Sequence, residues 1–135
     1  MTNFCRPTTL TLLAMLVAAA TPASATATLA CVGVDDPQVH VTLTLGSVPV
    51  FAIVNATIET PSGTYAMLPE AEHTEIIVGQ AFGTPDGLSV DFADPNVQEI
   101  LVTLRTMQAY RDRQAAHVGL LVVDDRDVHA IACES

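Results

Sequence analysis

Residues 128–134 read Val-His-Ala-Ile-Ala-Cys-Glu, and residues 28–33 read Thr-Leu-Ala-Cys-Val-Gly. Each is a short alternating run that carries a cysteine, one near either end of the chain. Alternation with period two marks a strand whose two faces meet different surroundings. If the two runs are the first and last strands and lie side by side, Cys31 meets Cys133. The resulting disulfide closes a loop of about 100 residues, worth roughly 4–5 kcal/mol in the chain-entropy account. That is a large share of the stability of a small domain. Such a bridge demands a fold whose terminal strands are neighbours.

The first 25 residues stand outside this pattern. Arg6 lies in a short polar start, an apolar run follows from Leu10 to Ala20, and Pro22 precedes the small triplet Ala23-Ser24-Ala25. Charge, a short apolar core and small residues, in that order, make a cleavable secretory signal. The apolar run is about half the ~20 residues of a membrane-spanning helix. The expected cut follows Ala25, so residues 1–25 are a signal peptide and residues 26–135 a single β domain, secreted or periplasmic. The mature chain of about 110 residues has the size of one domain. Cys5 leaves with the signal, and the remaining even pair suits an oxidising compartment. A rival reading exists. Thr28-Leu29-Ala30-Cys31 resembles a bacterial lipoprotein box, which would imply a lipidated Cys31. Thr28 stands where that pattern prefers leucine, the apolar core ends well upstream, and Cys133 would lose its partner.

Turn chemistry recurs along the mature chain: VDDPQ (34–38), LGSVP (45–49), TPSG (60–63), LPEAE (68–72), TPDG (84–87), ADPN (93–96), RDRQ (111–114) and DDRD (124–127). Proline presets φ, glycine admits positive φ, and aspartate or asparagine bonds its own backbone. Between these lie segments rich in Val, Ile, Thr and Leu. In 39–45, Val39, Val41, Leu43 and Leu45 fall on one face and His40, Thr42 and Thr44 on the other, the pattern of a strand with one wet face. Residues 50–59 and 74–82 read similarly. TPDG and DDRD each sit between two strands as hairpin loops. The expectation is an all-β fold, a small antiparallel barrel or sandwich of about eight strands with its ends joined by a disulfide. Residues 96–114 admit a single helix, with Asn96 and Glu99 as a capping box and an apolar stripe through Val97, Ile100, Leu101, Leu104 and Met107. The alternation of Ile100, Val102 and Leu104 and the β-rich composition favour a strand.

Charge narrows the partners. All 15 acidic residues follow Ala25, against four arginines and no lysine, a side-chain charge of −11. Such a domain repels phosphate backbones, so no nucleic acid is expected. It also repels anionic lipid, and no integral membrane segment remains after signal cleavage. A basic protein is the favoured kind of partner. No cofactor is expected.

Motifs for chemistry are scarce. His40, His73, His117 and His129 show no zinc-ligand spacing, and His40 and His129 read as strand residues on the polar face. The acidic turns Asp35-Asp36 and Asp124-Asp125 with Asp127 are the metal candidates. Register from Cys31 opposite Cys133 places them at one end of the fold, where oxygen ligands would suit calcium. They match no calcium loop, and solvated turn acids are the plainer reading. No catalytic residue is assigned: Ser47, Ser62, Ser89 and Ser135 lie outside any nucleophile elbow. Five aromatic residues, Phe51, Phe82, Phe92, Tyr65 and Tyr110, read as core and are too few for the girdles of an outer-membrane barrel. Asn55-Ala56-Thr57 matches a glycosylation sequon inside an expected strand. The functional expectation is therefore a non-enzymatic binding or interaction module for a cationic partner. The alternatives are a small metal-assisted or carboxylate-dependent hydrolase and a β-barrel carrier of a small apolar ligand.

Overall fold

The computed structural model describes residues 26–46, 50–68, 71–112 and 114–134. The expected signal segment lies outside the described residues. Ten strands form one sheet: β1 (Thr26–Gly33), β2 (His40–Gly46), β3 (Ala52–Thr60), β4 (Gly63–Ala66), β5 (Thr74–Glu75), β6 (Ile77–Thr84), β7 (Gly87–Ala93), β8 (Ile100–Arg111), β9 (Gln114–Val123) and β10 (Asp127–Glu134). Their order is β5-β4-β3-β2-β1-β10-β9-β8-β7-β6. All pairs are antiparallel except β4 with β5. The sheet curls until β6 approaches β3, which makes a nearly closed barrel.

The closure predicted from the cysteines is present. Cys31 lies directly opposite Cys133 in the β1–β10 ladder, and the two are disulfide-bonded across 102 positions of sequence. The last strand therefore bonds to the first, and the bridge points into the core, where Cys31 is buried.

The strand count exceeds the eight expected. Two short strands account for the difference. Residues 63–66 form β4 directly after a tight turn, and residues 74–82 are not one strand. The run breaks at Ile76, whose N–H bonds to the carbonyl of Ala66, and its apolar side chain is buried. The helix considered for 96–114 does not form. Residues 100–111 are strand, and Asn96 caps nothing. Instead Asp94 accepts backbone N–H bonds from Asn96, Gln98 and Glu99. The turn passes through Val97 at φ 57°, a conformation that β-branched residues seldom adopt.

The interior is packed. Leu43, Ile58, Val90, Phe92, Val102, Leu104, Leu121 and Val123 are fully buried, together with Val39 and Val41 from the alternating run 39–45. Two of the five aromatics, Phe82 and Tyr110, are exposed rather than core: Phe82 falls on an outward position of β6, and Tyr110, on the inner-facing side of β8, lies beyond the last residues that β7 and β10 pair with. No helix among the described residues is long and apolar enough to cross a membrane. The apolar interior and the polar outward residues of β2 and β7, such as Thr42 and Asp91, run opposite to the wet-lumen pattern of a transmembrane barrel.

Candidate binding surface

Strand direction sorts the loops onto two ends. The β1–β2, β3–β4, β7–β8 and β9–β10 turns share one end, which carries Asp35, Asp36, Asp94, Glu99, Asp124, Asp125 and Asp127 against Arg126. The two acidic turns singled out in the sequence are thus at one end, as the register implied. They are not drawn into one cluster. Asp124 and Asp125 both have positive φ, 49° and 54°, in a tight turn closed by the Arg126 N–H to the Val123 carbonyl. The Tyr65 hydroxyl donates to Asp124 Oδ2 at 2.9 Å from across the barrel end. Burial, and then that bond, push the Tyr65 hydroxyl up to about 12. Asp36 Oδ1 is engaged by the Gln38 N–H at 2.9 Å. Asp35 and Asp36 border a small cavity of about 60 Å³ with His129. His129 is not on the polar face as expected: it shares the inner face of β10 with Ile131 and Cys133, and its Nε2 is buried without a partner. A cavity of this size admits water but no substrate. Among the described residues, no three His, Cys, Asp or Glu side chains are grouped so that they could hold a metal ion.

His40, two strands away, points outward and is exposed. Asn55 of the sequon lies mid-strand opposite Thr44, and its side-chain oxygen is buried, so it presents a poor acceptor for a glycan.

The least expected surface is on the outside of β8, β9, β10 and β1. Register aligns outward residues in rows across these strands: Met107, Val118, Ala132 and Val32 in one, Leu120 and Ala130 in the next, and Val122 with Val128 in a third. Val34 extends the middle row through its N–H bond to the Ala130 carbonyl. Val118 and Leu120 are each 51% exposed, Val128 61% and Met107 69%. Every outward position from Ala116 to Val122 and from Val128 to Ala132 is uncharged. At the β8 border, Arg105 pairs with Asp91 at 2.7 Å and also donates to the carbonyls of Val90 and Leu104. A cleft of about 550 Å³ lies in this face between Val34, Met107 and Leu120. Beyond Met107 and Val118 the β8–β9 hairpin continues without a neighbouring strand, as an arm bearing Tyr110. The sequence held a signal for this face. Alternate positions in β9 and β10 are apolar on both sides, which is unusual for strands with one wet face. Comparison with protein-family models, curated proteins and solved structures finds no match for this chain.

Proposed function

We propose that this protein is a secreted or periplasmic, non-enzymatic binding module that docks a basic protein on the outer face of β8, β9, β10 and β1. The supporting observation is an apolar face, uncharged along β9 from Ala116 to Val122 and along β10 from Val128 to Ala132 and bordered by Arg105 on β8, on a chain that is otherwise strongly acidic. Four strands at about 4.8 Å spacing, each contributing six or seven residues at about 3.3 Å, make a plane of about 20 by 20 Å. Patches of a few hundred Å² mark interaction sites on soluble proteins. A stable interface takes about 800 Å² from each partner, so the apolar face supplies the centre and its borders the rest. One border is the acidic end, where Asp127 adjoins Val128 and Asp35 adjoins Val34. The other is the arm of β8 and β9, whose outward positions Ala109 and Ala116 continue the apolar rows. Like charge opposes a second acidic copy, whereas a basic partner gains steering from the rim. The disulfide and the lack of a membrane-spanning helix among the described residues are compatible with an extracellular or periplasmic location.

The test is binding of the mature domain to a panel of basic secreted enzymes by surface plasmon resonance at low and high salt. Association is expected to slow steeply with salt, and Leu120→Asp should abolish binding. Substituting Asp125 and Asp127 by Asn should slow association while leaving dissociation nearly unchanged. Absence of binding across the panel, or binding indifferent to Leu120→Asp, would overturn the proposal.

A further inference from the structure

The end of the barrel opposite the acidic turns holds a second feature. There the β6–β7 hairpin, the end of β2 and the base of the β8–β9 arm surround an open cavity of about 330 Å³. Leu45, Phe51, Pro85 and Leu88 form apolar walls, and Gln108 and His117 supply polar groups. Among the described residues the middle of the barrel is packed with apolar side chains, so the space at this end needs a local cause. Glycines at positions 83 and 87 place bare backbone in the hairpin. A Cβ at Gly83 would come within 2.8 Å of the Phe51 ring, so the ring lies flat on that glycine and forms one wall of the cavity.

The polar side has a defined chemistry. Thr106 Oγ1 accepts the Leu88 N–H at 3.1 Å and lies 2.9 Å from His117 Nε2. His117 Nδ1 is buried and has no partner. Burial also holds the imidazole below its ordinary pKa, which disfavours a positive charge in the lining. Gln108 contacts the Tyr110 hydroxyl through Nε2, which leaves its side-chain carbonyl to accept. The cavity lining carries no charged side chain, and the net charge of the domain opposes anions.

We infer that this cavity is a binding site for a small, uncharged, largely apolar molecule with one O–H or N–H donor. Its volume is at the low end of the range for small-molecule sites. The walls are apolar, and the side-chain carbonyl of Gln108 orients the donor. The site is separate from the outer face and does not depend on the docking reading.

The test uses N-phenyl-1-naphthylamine, an uncharged apolar fluorophore with a single N–H. Titration into the mature domain should give a saturable rise in fluorescence. Leu45→Trp fills the cavity and should weaken binding by about tenfold or more. Gln108→Leu, at a half-buried rim position that folding tolerates more readily, should weaken it several-fold. Leu120→Asp, on the outer face, should leave it unchanged. Loss of the signal in Leu120→Asp would move the dye to the outer cleft and overturn the inference. So would a signal unaffected by Gln108→Leu, or no saturable signal in the unaltered domain.

Discussion

Tyr65 ties the fold together at the level of a single residue. Its ring is in the core and its hydroxyl reaches Asp124, 59 positions away. Removing the hydroxyl in Tyr65→Phe should cost about 1 kcal/mol, since Asp124 is exposed and water replaces the lost donor. The pH dependence follows from the direction of the shift. The folded pKa, about 12, lies above the unfolded value of 10, so the fold favours the protonated phenol. Its contribution is complete below pH 10 and is lost as pH rises from 10 through 12. Urea midpoints across that window should fall more steeply in the unaltered protein than in Tyr65→Phe; parallel curves would show that the hydroxyl titrates alike in both states. His117 acts at the other extreme. Its folded pKa is lowered by burial, so its contribution is complete above about pH 6.5 and declines as the solution becomes more acidic. Asp94 is held below its ordinary value, chiefly by the Glu99 N–H and then by those of Gln98 and Asn96. Its turn therefore weakens at low pH.

Strand pairing explains why the cysteines lie where they do. Cys31 and Cys133 are Cα partners in the ladder that joins the chain's two ends, the pairing with the greatest sequence separation in the sheet. Closing it from an unfolded chain is the entropically costliest step, and the covalent bond removes that cost. Replacing both cysteines by Ala should lower stability by roughly 4–5 kcal/mol in the chain-entropy account, seen as a large drop in melting temperature. Reduction of the purified protein should raise its intact mass by about two hydrogens, and the proposed signal cleavage predicts a chain that begins at Thr26. A chain beginning at a lipidated Cys31 would defeat both expectations.

Two surfaces of opposite character coexist on the whole molecule, an acidic end and an apolar flank. Net negative charge opposes association of the flank with a second copy at neutral pH. The sequence pI is about 4.4, and near that pH the repulsion vanishes. Light scattering should then show association that reverses on neutralisation and that Leu120→Glu suppresses. Association unchanged by that substitution would place the contact elsewhere.

Much of this architecture was legible from residues 28–33, 39–45 and 128–134. Their period-two alternation and paired cysteines depend only on local backbone geometry and covalent chemistry, and from these the β class, the inward set Val39, Val41 and Leu43, and the end-to-end bridge all follow. The acidic turns could be assigned to one end because register, once anchored at Cys31 and Cys133, propagates along the ladder. What the tertiary structure alone decided depends on long-range placement. The break at Ile76 arises because Ala66 offers a carbonyl there. Whether β9 and β10 hide both faces or expose one is decided by what covers them, and alternation cannot show that. The rim cavity exists because Gly83 of β6, Gly87 of β7 and Phe51, just before β3, converge. Local pattern thus determines which backbone forms; the curl of the sheet determines which side chains meet and which are left for a partner.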